Sequence, residues 1–268
     1  MNALTPIIER TRLDVAARRS ATPPEEVHRA ARARAAADPP RGFADALRAG
    51  PGIAVIAEHK RSSPSAGVIR DDLMLEDVVG AYERGGAAAL SILTEPHSFS
   101  GSLDDLGAAR AATGLPILRK DFIVDGYQVA EALAGGADAI LLIVAALDPA
   151  TLGRLHAEAV SLGLDVLVEV HDAAELEVAA GIGAGVIGVN NRDLTTLKVD
   201  TERTFELLEG MPAGVATVSE SGWRTRAELD RLAAAGVDAV LVGEALMRSP
   251  DVEKACRALA GPPPARRL

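Results

Sequence analysis

The chain has 268 residues and 27.7 kDa, with 28 Lys+Arg against 38 Asp+Glu, a net charge of −10. That length suits one large α/β domain or two small ones, with 48% hydrophobic residues to fill a core, while the acidic balance argues against nucleic acid as a partner. A single cysteine, Cys256, excludes an internal disulfide and any multi-cysteine zinc or iron–sulfur site.

Residues 1–50 read as a helical extension. Ile7, Ile8, Leu13, Val15 and Ala16 recur at near-helical spacing, and the proline pairs Pro23-Pro24 and Pro39-Pro40 interrupt the pattern. The N-terminus has no apolar signal core and carries Glu9 and Asp14 early. The longest apolar run, Ala139 to Leu147, has nine residues, where spanning a bilayer takes roughly 18. No membrane partner is therefore expected, and a cytoplasmic location is the default.

From Ile53 the pattern changes to short β-branched runs, each followed by a polar or Gly-rich turn and a helix-period stretch. Eight occur: IAVIAE (53–58), AALSIL (88–93), LPILRK (115–120), DAILLI (138–143), LDVLVE (164–169), GVIGVN (185–190), GVATVSE (214–220) and VDAVLVG (237–243). Most are nearly continuous apolar stretches, as in parallel strands covered on both faces. Successive starts lie 21 to 35 residues apart, enough for a crossover helix each time. The phrases GGAAAL, GGADAI and AGVDAV (85–90, 135–140, 235–240) repeat a helix-ending glycine before a strand. The spacing predicts a (β/α)8 TIM barrel over 51–260 with the extension over 1–50 and a disordered tail over 261–268. An open doubly wound sheet is the alternative, and the even spacing favours closure.

In such a barrel the site lies where the strands end. The runs close on Glu58-His59-Lys60, Arg119-Lys120-Asp121, Glu169, Asn190-Asn191-Arg192, Glu220-Ser221-Gly222 and Gly243-Glu244. Only four of the 28 basic residues are lysines, and two of these, Lys60 and Lys120, close strands. Arginine neutralises anions but does not release protons near neutral pH, so lysine at these positions suggests proton transfer or a compact ammonium. Lys198 and Lys254 read as solvated. A partly desolvated carboxylate at Glu169 is expected to have a raised pKa, in the range of a general base. Glu58 and Lys60 share one face of an extended strand, which turns His59 the opposite way, as a packing residue. Ser63-Pro64-Ser65-Ala66-Gly67 is either an anion-wrapping loop or a simple turn. Ser221-Gly222 and Gly243-Glu244 follow the seventh and eighth runs, the usual phosphate position of the fold. There Glu244 is expected to turn its side chain away while its amide contributes. The five histidines are scattered without HxH or HExxH, and no GxGxxG opens a helix, so neither a metal nor a nicotinamide cofactor is expected.

The phrases VIAEHKRSSPSAG, LSILTEPHSFSGSLDDL, PILRKDFIVDGYQVAEALAGGADAILLI, VLVEVHD, IGVNNRDLTTLKVD, VSESGW and VLVGEALMRSPD, in this order, resemble the indole-3-glycerol phosphate synthase family over about residues 5–255. LRKDF and NNRDL are specific to it, whereas SESG and VGEALM also suit sister phosphate-binding barrels. The resemblance implies a phosphorylated small-molecule substrate, 1-(2-carboxyphenylamino)-1-deoxyribulose 5-phosphate, and no cofactor. It implies Lys120 as general acid, Glu169 as general base, and Lys60 as a binder of the substrate carboxylate or phosphate. Which of Lys60 and Lys120 gives the first proton stays open. Glu58, Asn190 and Glu220 match residues that orient the ring, the hydroxyls and the lysine. Ser63, Arg192, Ser221, Gly222, Gly243 and Glu244 match the phosphate and substrate pocket, and Phe122 its apolar wall. A monomer is expected, with a dimer open. His59 and Ala66 depart from the family pattern and leave room for a paralogue of a secondary pathway. A Schiff-base aldolase using Lys120 and a non-catalytic sugar-phosphate sensor are the competing readings.

Overall fold

The computed structural model describes residues 4–193 and 196–261. The tail expected over 261–268 lies, beyond Gly261, outside the described residues.

Three helices come first: α1 (Leu4–Ala21), α2 (Pro24–Ala37) and α3 (Phe43–Arg48). β1 (Ala54–His59) follows, then a small antiparallel hairpin of β2 (Ser62–Ser63) and β3 (Gly67–Val68), and α4 (Leu75–Arg84). The remaining strands are β4 (Ala89–Leu93), β5 (Ile117–Lys120), β6 (Ala139–Ile143), β7 (Asp165–Val170), β8 (Val186–Asn190), β9 (Ala216–Glu220) and β10 (Ala239–Val242). Between them run α5 (Asp104–Ala112), α6 (Gly126–Gly135), α7 (Pro149–Ser161), α8 (Ala173–Gly181), α9 (Glu202–Leu208) and α10 (Arg226–Ala234). The short α11 (Glu244–Met247) and α12 (Val252–Ala260) close the described chain. β1 and β4 to β10 pair in parallel around a closed ring in the order β1-β10-β9-β8-β7-β6-β5-β4. The chain is a (β/α)8 barrel. Each of the eight apolar runs became a barrel strand within a few residues of its expected bounds. The Ser63–Gly67 stretch proved to be the turn of the β2–β3 hairpin.

Side-chain alternation divides the core in two. Even-numbered positions of β1, Ile56 among them, join Leu118, Leu141, Leu167, Val186, Val218 and Leu241 inside the barrel, while Val55, Ala57, Ile117, Val166, Ile187 and Val240 face the helices. The ring is plugged at its N-terminal end by α3, whose Phe43 and Leu47 pack into the interior cluster and are almost fully buried. Continuing the same parity toward the strand C-termini brings Glu58, Lys120, Glu169, Asn190 and Glu220 inward, and sends His59 and Arg119 outward.

The N-terminal helices are fastened to the barrel by charge as well as packing. The buried Asp138 carboxylate accepts the Ile117 and Arg41 backbone N–H groups at 2.7 and 2.8 Å and pairs with Arg110, which also grips Asp38 after α2. Glu131 on α6 bridges Arg18 of α1 (2.7 Å) and the fully buried Arg119 of β5 (3.0 Å). Of the apolar positions expected to bury α1, Ile8 and Val15 do so, but Leu13 is 66% exposed and Ala16 faces solvent. Leu4 and Thr11 take those places, because α1 lies across the barrel with one narrow stripe down.

Candidate active site

A cavity of about 1000 Å³ opens at the C-terminal end of the barrel. It is lined by all thirteen residues singled out from the sequence: Glu58, Lys60, Ser63, Lys120, Phe122, Glu169, Asn190, Arg192, Glu220, Ser221, Gly222, Gly243 and Glu244. Its volume lies at the upper end of what small-ligand sites use.

At its floor sits Lys120, last residue of β5. Its ammonium contacts Glu220 Oε2 at 2.8 Å and Glu169 Oε2 at 3.2 Å. Burial works against that charge, but Glu220, Glu169 and Glu58 outweigh it and hold the Lys120 pKa above its ordinary value. The strand end is rigid for a local reason: Asp121 takes the Phe122 N–H (2.8 Å), the Thr94 hydroxyl (2.6 Å) and Arg119 (2.8 Å). Across the floor, Lys60 Nζ lies 2.7 Å from Glu58 Oε1, and Ser91 donates to Glu58 Oε2 at 3.1 Å. Burial opposes the Glu58 charge, yet Lys60 and Lys120 hold its pKa below the usual carboxylate value.

The expectation of a raised pKa at Glu169 is reversed. Burial does push this carboxyl upward, but Lys120 on one side and His171 on the other overturn the effect and hold it below the ordinary range. Asn190 Nδ2 also donates to its Oε1 at 3.1 Å. Sequence alone registers desolvation but not the two cations that tertiary folding brings to it. The raised carboxyl is Glu220, pushed to about 7 by burial, with Glu169 and Glu58 adding to it and Lys120 opposing. Its Oε1 is buried without a hydrogen-bond partner and lies against Gly188 of β8.

The loops above this floor are polar and sharply turned. Ser221 and Gly222 both adopt left-handed backbone, φ 68° and 103°. A Cβ at Gly222 would stand 2.7 Å from Thr201 Cγ2 and 2.9 Å from Val199 Cγ1, so the turn requires glycine. Ser221 Oγ donates to Asn190 Oδ1 at 2.9 Å, which ties β8 to β9. The Glu244 side chain pairs with Arg248, 2.9 Å away. Arg192 gives one guanidinium nitrogen to the Leu197 carbonyl at 3.0 Å.

Sequence reasoning missed part of the apolar wall. Phe99 meets Phe122 with ring centroids 6.3 Å apart, and Leu4 and Ile7 reach the cavity from α1. Phe99 is held by Glu95, whose Oε2 accepts the N–H groups of Ser98 (2.6 Å) and Phe99 (3.1 Å). The helical period of α1 and the phrase HSFSG were the available signals, though neither says which loop folds over which strand end. His171 was also passed over. His59, by contrast, packs outward as expected, and burial with Arg61 nearby lowers its pKa to about 4.

The family model for indole-3-glycerol phosphate synthase matches residues 4–259. The chain belongs to the indole-3-glycerol phosphate synthase family. Members are carbon–carbon lyases of the carboxy-lyase class, in tryptophan biosynthesis. The indole-3-glycerol phosphate synthase of Aromatoleum aromaticum is 49% identical over 96% of this chain and 98% of its own. The Mycobacterium ulcerans enzyme of that name is 50% identical over 92% and 90%. Indole-3-glycerol phosphate synthase 2 of Streptomyces coelicolor is 52% identical over 85% and 88%. Among solved structures, thiamine phosphate pyrophosphorylase from Pyrococcus furiosus superposes with a TM-score of 0.59 at 20% identity, covering 81% of this chain and 95% of its own. That likeness speaks for the barrel alone. No helix among the described residues is long and apolar enough to cross a membrane.

Proposed function

We propose that this family member closes the indole ring of 1-(2-carboxyphenylamino)-1-deoxyribulose 5-phosphate, with Lys120 as general acid and Glu169 as general base. The observation that carries the reading is one ammonium held between two buried carboxylates at the floor of a cavity with an aromatic wall and polar loops. A carbon–carbon bond forms between the ring carbon bearing the carboxylate and the sugar carbonyl carbon, and the carbonyl oxygen takes a proton. Loss of CO2 returns the bonding pair to the ring. The new hydroxyl then leaves as water, with one proton delivered to it and another removed from the adjacent ring carbon.

Lys120 suits the first proton because the carbonyl oxygen becomes basic only as the ring closes, so the ammonium stabilises the transition state more than the ground state. Glu169, kept ionised by its neighbours, suits the last. In this reading Lys60 meets a substrate anion, Glu58, Asn190 and Glu220 orient the substrate and Lys120, and Phe99 and Phe122 take the ring. Ser63, Arg192, Ser221, Gly222, Gly243 and Glu244 surround the phosphate. Residues 51–260 form the catalytic barrel, which the extension over 1–50 completes with Leu4 and Ile7. Mixing the protein with the carboxyphenylamino substrate and following indole fluorescence tests the proposal. Absence of product at micromolar enzyme overturns it.

A further inference from the structure

The ammonium of Lys120 has two carboxylate partners on nearly equal terms by distance, so something else must decide which of them acts as the base. Glu220 has Lys120 on Oε2 and nothing on Oε1. Glu169 has Lys120 on Oε2, and on Oε1 it has the Asn190 amide and, at 3.4 Å, His171 Nε2. His171 stands two residues beyond Glu169, so its side chain leaves the chain toward the same side.

The imidazole is not loose. Its Nδ1 lies 3.0 Å from Glu175 Oε2, and the same oxygen accepts the His171 backbone N–H at 2.7 Å. Glu175 is itself fixed in the first turn of α8, where its N–H donates at 2.9 Å to the capping carboxylate of Asp172. The His171 side chain is only 11% exposed, and its Nε2 is buried, makes no hydrogen bond and faces Glu169. Contacts of this type commonly align only in the substrate complex.

We propose that the His171–Glu175 pair is a positioning device that assigns the base role to Glu169 rather than to Glu220, its rival for the Lys120 ammonium. The inference rests on the reading of Glu169 as general base. The charged groups that face His171 are Glu169 of β7, the strand it follows, and Glu175 of α8. Those that face Glu169 are His171 and Lys120, with Glu220 and Glu58 beyond the ammonium. Burial opposes a charged imidazole, but the two glutamates overturn this and raise its pKa to about 10. His171 is then a second cation for Glu169, which Glu220 lacks. Two carboxylates 3 Å from one ammonium are thereby driven apart in proton affinity, the arrangement that separates an acid from a base in one site.

The test is the pH dependence of kcat and KM for His171→Gln and Glu175→Gln, from about pH 3.5 to about pH 9, beside the unaltered protein. Loss of the second cation lets Glu169 take up a proton at higher pH. The acid limb of the kcat profile should move up by about one pH unit for His171→Gln, since an opposite charge at this range lowers a carboxyl by roughly one to three. At pH 7, well above that limb in either protein, kcat and KM should both stay within about twofold, while at the acid edge of the range kcat should fall by up to about tenfold; Glu175→Gln, at a more exposed position, should shift the limb the same way by less. A limb that stays in place in both variants overturns the inference, even if stability falls, because a structural role alone does not move it. An unaltered protein that forms no indole product overturns the parent reading instead, and this role with it.

Discussion

Gly188 is the position where a single methyl group most directly tests the floor of the site. It lies inside the barrel on β8, and a Cβ there would stand 2.4 Å from Glu220 Oε1 and 3.0 Å from Leu167 Cδ1. Glu220 is 2% exposed and its other oxygen contacts Lys120 at 2.8 Å. Ordinary contact begins at 3.4 Å, so Gly188→Ala forces the carboxyl back by about 1 Å, an amount that can cost on the order of 10²-fold when it misplaces reacting groups. A hydrogen bond to a charged group contributes about 1.5–3 kcal/mol, and each 1.4 kcal/mol is tenfold in rate, so kcat should fall roughly 10- to 100-fold. The gain of about 0.5–1 kcal/mol from removing a strand glycine is offset by about 1–3 kcal/mol of overpacking, leaving Tm lowered by a few degrees. Indole fluorescence gives kcat and KM, and circular dichroism gives Tm. A Gly188→Ala protein with unchanged kcat would refute the claim that Glu220 positions Lys120.

Lys120→Arg should preserve the ion pairs and substrate KM but lose about 10²–10⁴-fold in kcat, because a guanidinium gives up no proton near neutral pH; near-normal turnover sinks the proton-donor role. His59 is buried neutral with its pKa lowered to about 4, so the unfolded chain binds its proton first. Stability on this account is complete above the ordinary histidine value and lost as pH falls toward 4, by about 3 kcal/mol. His59→Leu should flatten that acid-side loss in urea titrations at a series of pH values. Glu131→Ala removes one anion from fully buried Arg119 and the fastening of Arg18. It should cost about 3 kcal/mol, read as a lower urea midpoint at unchanged slope.

The barrel was legible because its signals are local and repeated. Each strand carries its own apolar run, and a glycine such as Gly85, Gly136 or Gly236 follows several of the helices that lead into them. The floor of the site was legible for the same reason: period-two alternation turns Glu58, Lys120, Glu169, Asn190 and Glu220 inward together. What escaped lies in long-range contacts. Leu4 and Ile7 reach the cavity from the other end of the sequence, and Phe99 depends on how Glu95 folds its loop. The β2–β3 hairpin has only two residues per strand, too short for a periodic signal. His171 had a readable cue, since Glu169-x-His171 shares a face and Asp172-x-x-Glu175 opens a helix. Scattered histidines tested for metal spacing conceal a histidine whose partner is a carboxylate.

The proton affinity of Glu169 shows why composition and position stop short of chemistry. Desolvation was identifiable from an apolar run ending in glutamate, and its sign is correct, yet Lys120, His171 and Asn190 together outweigh it. The floor contains three carboxylates, Glu58, Glu169 and Glu220, against Lys60, Lys120 and His171. They stand three against three, so the floor carries little of the acidic excess of a chain of net charge −10. In the proposed reading one substrate anion meets Lys60 on the floor and the other takes a cation at the rim. Arg192 suits that part of the proposal: its guanidinium donates to the neutral Leu197 carbonyl, and its charge acts on the Glu244 carboxylate nearby. The proposed chemistry thus assigns arginine to the rim, where a fixed charge is wanted, and lysine to the floor, where a proton must move.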